Sequence, residues 1–316
     1  MKEIGSEFWD IPISDKDNGI FPQNTKWFLS GRSALRAIIR DLKNIKTIAI
    51  PSWCCESMVK PFEEVGIEVN YYPVYWNKIL MQDIKMDSDA LLIMDYFGYT
   101  GPMPYLSDYK GIVIRDVTHS IFSKEYSDAD YYFGSLRKWC GFWTGGYAWG
   151  HGVEAAKETD EEYVYYRRIA MEDKAKYILY GGTKDYLQLF DKAEERLEKV
   201  GICAADTRDV YAARHLDVEL IREKRRKNAE ILIEAFPDLL IFPSLSPADC
   251  PMFVPIIVFD GKRDALRQFL IDQSIYSPIH WPNSDLGELS LICDQRYSEL
   301  DMMYLVNKIK QFWQEA

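Results

Sequence analysis

Lys138 stands in the run GSLRKWCGFWTGGYAWG, Gly134 to Gly150, three residues after Ser135 and among Trp139, Phe142 and Trp143. Aromatic surroundings penalise an ammonium and favour the neutral amine, which is the form that attacks a carbonyl carbon. The same pattern also suits a structural lysine whose stem is buried and whose head reaches water. Whether Lys138 does chemistry therefore depends on what accompanies it.

Three other groups could accompany it. In GIVIRDVTHS, Asp116 closes an apolar run and His119 follows three residues later. A carboxylate at the end of a buried strand needs a cation or hydrogen bonds to remain ionised. Arg115 or loop backbone could meet that need, and so could the protonated ring nitrogen of a bound heterocycle. In SGRSAL, Gly31 permits a tight turn into a helical pattern, and the N–H groups around Arg32 and Ser33 with the helix dipole form a phosphate site. A serine N-cap accounts for the same residues without a ligand. Gly145-Gly146 would let backbone approach a ligand closely, or make a hairpin turn.

Together these residues offer a phosphate cradle, a carboxylate for a ring nitrogen, a hydrogen-bonding histidine, the Ser135 hydroxyl and a lysine. Pyridoxal 5'-phosphate (PLP) needs such a set, because it is held by a lysine Schiff base with an acidic partner on its pyridinium nitrogen.

The elements that must position these groups follow from the hydrophobic pattern. A helix pattern from Ser33 is followed by the strand TIAIP, the helix ESMVKPFEEVG and the strand IEVNYYPV. The apolar strands ALLIMDYFG and GIVIRDVTHS flank a short helix or turn at YLSDYKG, and ADYYFGS and GGYAWG are two more strands. Alternating strands and helices predict an α/β fold with a mostly parallel central sheet sandwiched by helices. The pattern turns helical from about Val153 to Phe236. A strand FVPIIVF, a helix KRDALRQFLIDQS, short strands IYSPI and LSLI and a final helix ELDMMYLVNKIKQFW then predict a smaller α+β C-terminal domain. The expected division is an N-terminal arm with a large α/β domain over 1–200 and the small domain over 201–316.

Composition narrows the function classes. The chain has 316 residues and a net charge of −11, which disfavours nucleic-acid binding because no excess of cations is available to displace counterions. The basic run REKRRKN has acidic neighbours and reads as a solvated helix face. Six cysteines show no CxxC or metal-ligand spacing, so no metal site is expected and reduced thiols in a cytoplasmic protein are. No apolar run is long enough to span a bilayer, and neither a P-loop nor GxGxxG occurs.

These motifs resemble those of fold-type I PLP enzymes and, more narrowly, the DegT/DnrJ/StrS family of sugar aminotransferases. SGRSAL is similar to the family's SGT-x-AL phosphate loop, DYFG to its HLFG, and RDVTH to its EDAAQ or EDAAH. The resemblance implies Asp116 on the pyridine nitrogen, His119 near the cofactor's 3'-oxygen, Ser135 with Gly31, Arg32 and Ser33 on the phosphate, and Lys138 as the Schiff-base lysine. It departs in three respects, one being a chain shorter than most members. The family's sugar aminotransferases place the serine and lysine five residues apart rather than three. Cys55 falls where an aromatic stacks on the ring, which leaves Trp53 as the nearest aromatic.

The activity implied is transfer of an amino group from an amino acid such as glutamate to a keto group. The implied acceptor is a nucleotide-linked sugar for surface polysaccharide, and the implied assembly a homodimer. Another PLP-dependent reaction and a non-catalytic PLP-binding regulatory or scaffold protein are the alternatives. SPIHWP, at 277–282, corresponds to a histidine-bearing acceptor loop of the family and marks His280 and Trp281 for substrate. Arg167, Arg168, Arg208 and Arg296 are equal candidates for binding a substrate carboxylate.

Overall fold

The computed structural model describes residues 3–84, 87–101, 106, 108–124, 128–281 and 286–315. Part of YLSDYKG and Pro282 of SPIHWP lie outside them. In chain order the elements are β1 (Ile4–Gly5), β2 (Lys26–Phe28), α1 (Gly31–Asp41), β3 (Thr47–Pro51), α2 (Glu56–Glu63), β4 (Glu68–Tyr72), β5 (Val74–Asn77), β6 (Ile79–Gln82) and β7 (Ala90–Met94). They continue as β8 (Ile112–Asp116), β9 (Tyr131–Ser135), β10 (Gly146–Gly150), α3 (Glu161–Tyr180), α4 (Tyr186–Leu197), α5 (Thr207–Arg214) and α6 (Val218–Ala235). The last are β11 (Val254–Ile257), α7 (Arg263–Asp272), β12 (Ile275–Tyr276), β13 (Glu288–Leu291) and α8 (Glu299–Glu315).

Seven strands form one sheet in the order β2-β10-β9-β8-β7-β3-β4. From β9 to β4 every pairing is parallel, and β10 runs antiparallel to both β9 and β2. Fully buried apolar strands such as β7, ALLIM, suit the middle of a sheet covered on both faces. Alternation along β8 sends Arg115 and Asp116 to opposite faces. Arg115 pairs with Asp95, which also accepts a 2.6 Å hydrogen bond from the Ser120 hydroxyl.

Helix α1 begins at Gly31, two residues before the expected start. The Ser30 hydroxyl accepts from the Ser33 N–H at 3.2 Å, and Ala34, Leu35, Ile38 and Ile39 form the buried stripe. The stretch from Val153 to Asp160 is not helical. The β5–β6 hairpin was not expected, since its residues do not alternate cleanly and its turn uses Lys78 at φ +64° rather than a glycine.

The C-terminal part builds a separate two-stranded sheet, β11-β13, on a core from Ala229, Leu232, Leu289, Leu291, Leu305 and Ile309. The N-terminal arm joins it: β1 pairs in parallel with β12, and Ile4 enters the same core. The arm then runs back toward the carboxyl ends of the large sheet.

Candidate active site

The carboxyl ends of β7, β8 and β9 open into a cleft of about 860 Å³, the usual place for a ligand in an open α/β sheet. Asp116, His119, Ser135 and Lys138 all line it, together with Gly31 and Arg32 from the start of α1.

Asp116 is 5% exposed, and its Oδ1 accepts the Thr118 N–H at 2.8 Å. Burial pushes its pKa up, against the hydrogen bonds from Thr118 and the charge of Lys138. Among the described residues it forms no ion pair. Arg115 is committed to Asp95 on the other face, so the structural explanation of Asp116 through Arg115 fails.

His119 is buried, and its Nδ1 accepts the Phe97 N–H at 3.3 Å. That bond places the ring proton on Nε2, which lies 3.3 Å from the Lys138 Nζ. Burial holds the His119 pKa well below the ordinary imidazole value, with Lys138 and His280 adding to the effect. The ring is a neutral donor toward the cleft.

Lys138 ends a 3₁₀ turn, Leu136–Lys138, that follows β9. Its side chain is exposed in the cleft rather than enclosed by aromatic rings. Trp139 and Phe142 belong to a buried cluster behind it, and the Trp139 indole N–H donates to the Thr118 carbonyl at 2.6 Å. Trp143 instead carries the Arg208 guanidinium at 4.0 Å. The aromatic enclosure expected from the neighbouring residues is absent, because successive residues of a tight turn point in different directions.

A Cβ on Gly31 would lie 3.4 Å from the Ser135 Cβ, so the start of α1 and the end of β9 meet at one point. The Gly31 and Arg32 N–H groups lie at the open end of α1, where a helix leaves donors free. The two side chains of this turn are engaged with protein partners. The Arg32 guanidinium pairs with Glu198 at 2.8 Å, and the Ser33 hydroxyl donates to the Gly201 carbonyl at 2.8 Å, off the cleft. Gly146 serves chain packing: a Cβ there would meet the Ser30 carbonyl at 2.1 Å.

The opposite wall comes from the C-terminal part. His280 and Trp281 line the cleft, and the His280 and His119 rings are 5.8 Å apart. Trp53 lies behind this wall, 7% exposed and stacked on Trp281 at 5.3 Å, whereas Cys54, Cys55 and Met58 face the cleft. Trp281 is therefore the cleft-facing member of that aromatic pair.

The mouth is cationic and is met by the arm. Arg167 contacts the Glu7 carboxylate through both terminal nitrogens, at 3.3 and 3.4 Å. Burial would raise the Glu7 pKa, but Arg167, Arg137 and Lys174 together hold it below the usual value. Burial also pushes the Lys174 ammonium down to about 8, with Arg296 contributing. Of the four arginines that sequence could not rank, Arg296 lines the cleft, paired with Asp294 at 2.8 Å. Arg168 faces Glu172 along α3 and Arg208 pairs with Asp209. Sequence reasoning missed Glu7, Lys174, Glu288 and Ser290, which reach the site through tertiary contacts with no local motif.

No protein-family model matches the chain, and no curated protein does. Solved structures do. A putative sugar aminotransferase of Streptococcus pneumoniae, Spr1654, superposes with a TM-score of 0.62 at 14% identity, over 92% of this chain and 86% of that one. A DegT DnrJ EryC1 StrS aminotransferase from Brucella abortus superposes with a TM-score of 0.59 at 16% identity, over 91% and 85%. Spr1654 has been solved in PLP and PMP forms. This chain shares their fold.

Proposed function

We propose that the protein is a PLP-dependent aminotransferase. Asp116 carries the reading: it is a buried carboxylate at the carboxyl end of a central strand, lining the cleft with no ion-pair partner among the described residues. A pyridinium nitrogen would supply the missing charge. The other residues present also fit PLP, with the open end of α1 and the Ser135 hydroxyl for its phosphate, His119 Nε2–H as a donor and Lys138 for attachment.

When bound, the cofactor supplies an electron sink for charge developing at a substrate's Cα. The chain supplies the rest. Asp116 would present its carboxylate to the ring nitrogen, whose positive charge would favour the ionised form, and His119 would donate without gaining charge. Lys138 is exposed in the cleft, so its amine can reach a substrate and carry the Cα proton. Overall, one substrate exchanges an amino group and its Cα hydrogen for the carbonyl oxygen of the other.

Glutamate is the proposed donor and a nucleotide-linked keto sugar for surface polysaccharide the proposed acceptor. This rests on the motifs and on the fold shared with sugar aminotransferases. Trp281 offers an aromatic face for a sugar or base. A cytoplasmic location and a homodimer complete the proposal. Exposed Tyr165, Leu179, Tyr180 and Leu187 on and between α3 and α4 offer apolar surface for a second copy; sedimentation of the active protein as a monomer would remove the dimer.

The test of the cofactor site is borohydride reduction of protein incubated with PLP, followed by peptide mass spectrometry. The expected result is one phosphopyridoxyl group on Lys138; labelling only at other lysines would refute the assignment. A second reading, a PLP-binding protein without turnover, draws on Cys54 and Cys55 facing the cleft where an aromatic was expected. Reactivity toward amino donors separates the two.

A further inference from the structure

We infer that His280 is an acid–base group of the cleft and that Glu288 and Ser290 are positioning residues that place its ring proton. The chemical role rests on the aminotransferase reading; the placement of the proton does not.

The arrangement begins with the pattern of β13, Glu-Leu-Ser-Leu, in which all four residues are buried. Leu289 and Leu291 turn into the C-terminal core, so Glu288 and Ser290 share the other face. The Glu288 carboxylate accepts the His280 backbone N–H at 2.9 Å and the Ser290 hydroxyl. With its hydrogen committed to Glu288, the Ser290 Oγ can only accept from His280 Nδ1, 2.9 Å away. The Ser290 N–H also donates to the Pro278 carbonyl at 3.0 Å, tying the His280 loop to the strand. The ring proton therefore sits on Nδ1, and Nε2 keeps a lone pair with no partner among the described residues.

The tautomer is opposite to that of His119. Rings of Phe97, Phe253 and Trp281 pack around His280, at centroid distances of 5.3, 4.9 and 5.5 Å. The titratable groups facing it are Lys138 and His119 from the large sheet and Glu288 from β13. Burial lowers the His280 pKa, and Glu288 opposes that shift.

Amino transfer to a ketone needs such a group. A C–N bond forms, the C–O bond breaks, and oxygen leaves as water carrying two hydrogens that began on the amine nitrogen. His280 Nε2 can take a proton from that nitrogen and return it to the departing oxygen, ending unchanged. His119 cannot, because its Nε2 already holds the ring proton and its Nδ1 lone pair is occupied by the Phe97 N–H.

The test begins with ¹⁵N imidazole spectra of the protein without cofactor, its four histidines assigned by single His→Gln substitutions. His280 is expected as the Nδ1–H tautomer and His119 as Nε2–H. Ser290→Ala should abolish the fixed tautomer of His280 and leave His119 unchanged; Glu288→Gln should lower the His280 titration midpoint. A wild-type Nε2–H tautomer at His280, or no response to Ser290→Ala, overturns the placement. Ser290→Ala should slow the half-reaction of the PLP form with L-glutamate, and that of the pyridoxamine phosphate form with 2-oxoglutarate, about tenfold and shift their pH profiles, with labelling of Lys138 unchanged. Wild-type rates and profiles in that variant overturn the acid–base role. A wild-type protein inert to every donor would refute the aminotransferase reading while leaving the tautomer result standing.

Discussion

The two sides of the cleft present one histidine each and prepare them differently. On the floor, His119 is set by backbone: the Phe97 N–H occupies its Nδ1, and burial keeps the ring neutral. On the wall, His280 is set by side chains, with Ser290 on Nδ1 and Glu288 behind it. A backbone donor enforces a permanent state, whereas a carboxylate behind a hydroxyl supports a ring that can gain and lose a proton. On the proposed reading the floor would hold a cofactor in one electrostatic state while the wall would handle protons of the passing substrate.

The sharpest way to break this division is Lys138→Ala. If the floor holds the cofactor, this variant should retain its fold, lose the borohydride-fixed label and lose turnover by at least about a thousandfold, as expected for removal of a covalent anchor and its base. Asp116→Asn should still bind PLP but turn over about 10- to 100-fold more slowly, since a charge-assisted hydrogen bond contributes roughly 1.5–3 kcal/mol. Steady-state rates near wild type would make Asp116 a structural residue and remove the floor's electrostatic role.

Gly98 tests how firmly the two sides are joined. Its φ of +81° and a hypothetical Cβ 1.9 Å from the Cys250 carbonyl leave no room for alanine, and the Phe97 and Gly98 carbonyls accept from Met252 and Cys250. Gly98→Ala should lower unfolding stability by about 2–4 kcal/mol in denaturant melts. A loss below 0.5 kcal/mol would mean that the join yields easily.

The smallest expected effect lies at the mouth. Lys174 titrates lower folded than unfolded, so above pH 8 the unfolded chain binds more protons and stability rises with pH until the unfolded lysine also titrates. Relative to Lys174→Met, wild type should gain about 2 kcal/mol between pH 7.5 and 10. A pH-independent difference would contradict the burial of that ammonium.

The same comparison explains what the sequence made legible. Floor residues fall at the ends of strands whose apolar runs are readable, so Asp116, His119, Ser135 and Lys138 were found together. What sequence misjudged there was direction: the aromatics beside Lys138 face away from it. Wall residues depend on a strand whose Glu and Ser alternate with leucines, a pattern that reads as an ordinary half-exposed strand. Only tertiary packing reveals that the polar face is buried against His280. Trp53 shows the same limit, since stacking on Trp281 takes it out of the cleft.

The most direct test of the proposed activity is a single half-reaction. Protein loaded with PLP is mixed with L-glutamate or L-glutamine in the absence of any keto acceptor, and the cofactor spectrum and keto acid are followed. An aminotransferase predicts conversion to pyridoxamine phosphate with one keto acid formed per active site, and no conversion in Lys138→Ala. A loaded wild-type sample that stays spectrally unchanged with these and every other common amino donor would contradict the aminotransferase reading.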